Sequence, residues 1–187
     1  MDDLVAAKLM TGALGFVLGG MGLGLFLPKA TAWVRALPRA KITGAVLSSV
    51  CWLWAGVWLW QHPIDFLAFL TPPVVVVGTV VCALLSLVLL QNLLCARAIG
   101  GLLMLWPMPV IVAVRDQLTN WRLVPISIGY VSLTLGMFIV FYPWIFRVGC
   151  EKVAEDRRIR KGLAWGLLAA AGATLVAMAL LGKVVGE

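Results

Sequence analysis

The stretch VVVVGTVVCALLSLVLL, residues 74 to 90, has no charged residue and no polar face. A transmembrane barrel strand alternates apolar and polar positions over about ten residues. Here the apolar character is continuous, which suits a helix surrounded by lipid or by other helices. In lipid every backbone N–H and C=O must be paired within the structure, so an isolated run of this kind spans only as a helix. A helix needs about 20 such residues to cross the hydrocarbon core.

The same character continues on both sides of this run. The chain has 187 residues, 63% hydrophobic and 12% charged, whereas a soluble domain carries about 25% charged residues. A domain of this size has too little interior to hide so much apolar surface. The composition therefore predicts an all-α polytopic transmembrane helix bundle of about six spans with short interfacial helices, a single integral membrane domain over 1–187. Polar and proline-marked breaks place the spans at about 4–27, 42–60, 72–94, 96–114, 124–146 and 162–182. The division between the third and fourth rests on Gln91, Asn92 and Arg97. A single helix over 72–114 would be about 65 Å long at 1.5 Å per residue, roughly twice the hydrocarbon thickness. The start Met-Asp-Asp-Leu-Val lacks the basic region of a secretory signal, so the first apolar segment is expected to be retained.

Six spans put both termini on one side and separate the basic residues. Lys29, Arg35, Arg39, Lys41, Arg97, Arg147, Lys152, Arg157, Arg158, Arg160 and Lys161 fall on one face, and Lys8, Arg115, Arg122 and Lys183 on the other. Basic loops favour the cytoplasmic side. The termini are thus expected to be non-cytoplasmic, and the basic loops to meet anionic lipid headgroups. This placement accounts for the basic charge without a nucleic-acid partner. Three connecting segments are expected to form short helices. One covers about 63–70 on the outer side. Another lies between Pro28 and Lys41 and presents Trp33 beside Arg35. The third, over 150–161, extends a flanking span and offers a charged docking surface.

Two small-residue stripes stand out. Gly12, Gly15, Gly19 and Gly22 share a face of the first span, and Gly162, Gly166, Ala170, Ala173 and Ala177 recur along the last. Small residues at spacings of three and four let helix backbones approach closely. Tight packing is expected there, within the chain or across a subunit boundary. Trp106, Pro107, Met108 and Pro109 interrupt the fourth span. A proline inside a helix removes a hydrogen bond and clashes with the preceding turn, so these residues predict a kink or break. Broken helices near the midplane line some transporter sites, which makes the four a candidate solute or gate element.

All eight acids, Asp2, Asp3, Asp65, Asp116, Glu151, Glu155, Asp156 and Glu187, fall in tails or loops. Intramembrane ionisable groups mark proton relays and ion pathways, so an ion-coupled pump is disfavoured. His62, Asp65, Arg115, Asp116 and Arg122 share the outer side as a candidate polar cluster. With one histidine and no HExxH, CxxC or phosphate loop, no catalytic, metal or cofactor site is expected. Cys51, Cys82, Cys95 and Cys150 read as packing residues. The expectation is a non-catalytic membrane subunit or scaffold that associates with other membrane subunits or with itself. The alternative is a small transporter, channel or solute-binding protein for a neutral or apolar solute, with its site at the broken span.

Overall fold

The computed structural model describes residues 2–27, 29–61, 72–89, 94–117 and 119–181. Among them are nine α-helices and no strand: α1 (Asp2–Gly24), α2 (Ala30–Ala36), α3 (Lys41–Gln61), α4 (Pro72–Leu89), α5 (Leu94–Leu105), α6 (Pro107–Arg115), α7 (Leu123–Phe141), α8 (Pro143–Glu155) and α9 (Arg157–Leu180). Five passes, with α5 and α6 together making one, are long and apolar enough to cross a bilayer; α4 is a shorter apolar helix. The protein is an all-α, multi-pass integral membrane protein with about six spans.

Lipid is needed because these helices bury so little against each other. Only 11% of the most apolar window of α3 lies inside the protein. Ile42 on α3 is 83% exposed, and Leu89 on α4 is 72% exposed. Surfaces of this kind would associate in water.

Close contacts between glycines and their neighbours give the helix directions. On α3, Gly44 meets Cys95 of α5 and Cys51 meets Gly101, so α3 and α5 run parallel. Gly56 meets Thr79 of α4, and Trp52 is bonded to Ser86, so α4 runs antiparallel to α3. Gly100 of α5 meets Gly136 of α7, while Pro107 meets Gly129, an antiparallel crossing. Gly12 of α1 meets Met178 of α9, and Gly22 meets Ala164 and Leu168, again antiparallel. At one end of the bundle Leu4, Ala7, Ala113, Val114, Ile126 and Leu181 pack into an apolar cluster. The starts of α1 and α7 and the ends of α6 and α9 therefore lie together. The opposite end holds α2 packed against α8, beside the starts of α3, α5 and α9.

Several expected boundaries move, each for a local reason. The expected span over 124–146 ends at Phe141, and Tyr142 leaves the helix at φ −123°, ψ 64°. Pro143 is the cause: it has no N–H to continue the ladder, and its ring disfavours helical geometry in the residue before it. The expected helix over 150–161 is divided at Asp156, whose Oδ1 accepts the backbone N–H of Arg158 at 2.7 Å. That bond caps the N-terminus of α9 and starts the last span at Arg157 rather than 162. The short helix expected between Pro28 and Lys41 is α2, where Trp33 is 74% exposed. The expected helix over 63–70 lies outside the described residues, as do Gln91 and Asn92. Arg97 lies within α5.

Candidate functional site at the broken fourth pass

The break at Trp106 follows from backbone bookkeeping. The Trp106 N–H donates to the Leu102 carbonyl at 3.0 Å, continuing the pattern of α5. The next donor should come from residue 107 and reach Leu103, but proline has none. In a bilayer an unpaired carbonyl cannot turn to water, so another donor must serve it. Ser132 of α7 does so: its Oγ donates to the Leu103 carbonyl at 3.0 Å. The same Oγ accepts the Trp106 Nε1–H at 3.2 Å. The interrupted helix is thereby tied to its neighbour.

The four residues singled out at this break do not face one point. Trp106 bonds toward α7, and Pro107 is buried against Gly129. Met108 is 42% exposed, and Pro109 is partly buried. A related arrangement joins α3 to α4. Trp52 Nε1 donates to Ser86 Oγ at 2.9 Å, and Ser86 donates to the Cys82 carbonyl at 2.7 Å. At both joints the serine hydroxyl already donates to backbone and accepts from indole.

The described members of the expected polar cluster, Arg115, Asp116 and Arg122, lie around the end of α6. Arg122 donates through Nη1 to the carbonyls of Arg115 and Gln117, at 2.7 and 2.8 Å. Its charge sits where the carbonyl end of α6 is negative, a favourable placement. Arg115 pairs with Asp116 at 3.3 Å on the exposed side. His62 and Asp65 lie outside the described residues. Among the described residues no group of three or more His, Cys, Asp or Glu side chains could hold a metal ion.

The two small-residue stripes have different fates. On α1, a Cβ at Gly12 would come within 2.7 Å of Met178 Sδ, and one at Gly15 within 2.9 Å of Thr174 and Leu175. Gly22 packs as closely, whereas a Cβ at Gly19 would meet Ala171 at an ordinary 3.6 Å. On α9 the face turned to α1 is Ala164, Leu168, Ala171, Leu175 and Met178, while Gly162, Gly166 and Ala173 of the expected stripe lie on another side of the helix. Two residues along a helix is a turn of about 200° at 3.6 residues per turn, so Gly162 lies almost opposite Ala164. Nothing approaches within 4 Å of a Cβ built at Gly162 or Gly166, and Ala173 is exposed. Ala170 is partly buried between the two faces, and Ala177 is buried.

The tightest backbone contact was not among the expected sites. It joins Gly100 to Gly136, in the α5–α7 crossing that also holds the Trp106–Ser132 pair. The available signal was a third stripe on α7, with Pro125, Gly129, Ser132 and Gly136 at spacings of four, three and four.

Cys51, Cys82, Cys95 and Cys150 are free thiols. Burial pushes the Cys150 thiol up to about 11, and the neighbouring Cys95 and Glu151 add to the rise. Only the thiolate is strongly nucleophilic. In a variant retaining Cys150 alone, where burial and Glu151 still raise the thiol after Cys95 is gone, alkylation by iodoacetamide at pH 7 is expected to be far slower than for an exposed thiol. The rate should still be climbing between pH 9 and 11.

The fold thus defines a multi-pass helical membrane protein whose main polar contacts close upon themselves. No protein-family model, curated protein or solved structure matches the chain.

Proposed function

We propose that the chain is a non-catalytic integral membrane subunit, a helical scaffold that docks another transmembrane helix on the outward face of α9. The observation that carries this reading is the exposed row Gly162, Gly166, Ala169 and Ala173. It lies on the side of α9 turned away from α1, with open space beside both glycines. Rows of small residues let a second helix approach closely enough for strong dispersion contacts, in a solvent that supplies no hydrophobic drive. The partner is another membrane subunit or a second copy of this chain. In this reading the basic end, with α2 and α8, is cytoplasmic and the termini are not, because basic segments are retained on the cytoplasmic side.

The transport reading draws support from the helix break alone. The hydroxyl and indole at that break already bond to each other and to backbone, which favours a structural kink over a solute site.

Gly166→Leu combined with Ala173→Leu tests the docking face. Co-purification or cross-linking of the partner chain in mild detergent should be lost, while the thermal unfolding of the chain itself stays within a few degrees of wild type. Gly15→Leu serves as the opposite control, because its side chain would collide with α9 inside the protein. Unchanged association in the double variant would remove the basis for this assignment.

A further inference from the structure

The basic end has few acids, and each has an intramolecular role. Its connecting segments hold Glu151, Glu155 and Asp156 against the eleven cations named above. Glu155 pairs with Arg35 at 3.7 Å, and Glu151 with Arg147 at 3.1 Å. Asp156 accepts the backbone N–H of Arg158. Four of the remaining cations, Arg157, Arg158, Arg160 and Lys161, fall within the first five residues of α9. None of these four has an ion-pair partner among the described residues. Arg157, Arg158 and Lys161 are exposed, and Arg160 is partly buried.

Cations crowded together repel, and here they also meet the positive end of the helix dipole. Asp156 and Glu155, beside the start of α9, are the acids nearest in sequence to oppose this. The aromatic side chains indicate where the cluster sits in the bilayer. Trp165 lies one turn beyond Lys161, is 65% exposed, and packs edge-on against Phe26 with ring centroids 5.8 Å apart. Trp33 and Trp144 are exposed at the same end. Indole rings settle at the border of the hydrocarbon and headgroup layers. The cluster, further along α9 toward the end of the bundle, therefore reaches the level of the phosphates.

We propose that Arg157, Arg158, Arg160 and Lys161 form a binding surface for the headgroup phosphates of anionic phospholipids, which act as the counter-ions that stabilise the start of α9. Charge complementarity selects this occupant. A lipid with net negative charge neutralises the cluster, whereas a zwitterionic headgroup brings a compensating cation with its phosphate. This surface is separate from the docking face of α9 and does not depend on the subunit reading.

The full chain in nanodiscs of phosphatidylcholine, with phosphatidylglycerol added in steps, tests the proposal. The readouts are thermal unfolding and the lipids retained in native mass spectrometry. Each basic residue near an anionic surface favours it about fivefold, so Arg157→Gln, Arg158→Gln and Lys161→Gln together should cut the preference for phosphatidylglycerol at least about tenfold. Lys29→Gln, Lys41→Gln and Lys152→Gln remove equal charge from the same end and should largely preserve it. An equal loss in both triple variants would mean a diffuse surface field and would overturn the proposal, as would a wild-type chain with no preference. Inorganic phosphate added to phosphatidylcholine nanodiscs should not reproduce the stabilisation; if it does, the lipid assignment fails. Should the α9 triple variant fail to fold, the wild-type chain decides at about 1 M salt, where the screening length is about 3 Å. A preference that survives there would contradict the charge-based site.

Discussion

Gly136→Leu is expected to prevent stable folding in detergent, and Gly136→Ala to cost about 2 kcal/mol, within the range for overpacking a tight interior. A Cβ at this position would lie 2.6 Å from the Gly100 carbonyl oxygen, 2.9 Å from Met104 Cγ and 3.0 Å from Leu103 Cβ. The first obstacle is backbone and cannot rotate aside. The reverse contact is similar, with a Cβ at Gly100 falling 2.9 Å from the Gly136 oxygen. Relief requires α5 and α7 to separate, which lengthens the Ser132 bond to Leu103 and the Trp106 bond to Ser132. Separation therefore loses dispersion contacts and uncovers a carbonyl together. Gly78→Ala and Gly172→Ala are the matched controls, since nothing lies within 4 Å of a Cβ at either position. Both should be neutral or slightly stabilising, because alanine is favoured over glycine within helices by up to about 1 kcal/mol. Thermal unfolding of the four variants in one detergent provides the comparison. If Gly136→Ala were as stable as Gly78→Ala, the close crossing would not be a determinant of the fold.

The membrane class was legible because it depends on composition and run length, which need no tertiary information. The break at Trp106 to Pro109 was legible for a similar reason: proline acts on its own helix. Tyr142 and Pro143 carried the same local signal, but placing them inside a single span over 124–146 hid the start of α8. Asp156 is another local signal, an N-cap candidate directly before Arg157, and it divides what had looked like one cytoplasmic helix. The partner of each small stripe was not legible. Gly and Ala fill so many positions between 162 and 173 that α9 has two small faces, and spacing alone does not say which one meets α1. The role of Ser132 was hidden more deeply. Nothing within α7 shows that its hydroxyl faces an unpaired carbonyl 29 residues earlier in the chain. The same holds for Arg122, which reads as an outer loop charge until the end of α6 is placed beside it.

The second large effect is expected from Ser132→Ala, which should destabilise the protein by about 2 kcal/mol, within the range for a buried polar group left without its partner. The change leaves the Leu103 carbonyl without its donor and Trp106 Nε1 without its acceptor. Pro107→Ala distinguishes this account from a simple loss of packing. Alanine restores an N–H that can donate to Leu103, so Ser132 is no longer the only donor available to that carbonyl. The cost of Ser132→Ala should then fall by about half in the Pro107→Ala background, a coupling of roughly 1 kcal/mol in the range for residues that share a network. Pro109 remains in place and still removes the donor for the Leu105 carbonyl, so the helix is not expected to straighten fully. Equal costs in the two backgrounds would show that Ser132 does not compensate for the proline. A coupled result would show that the hydroxyl holds the kink in place, which is the behaviour of a fixed structural joint rather than of a gate that must release α7 to open.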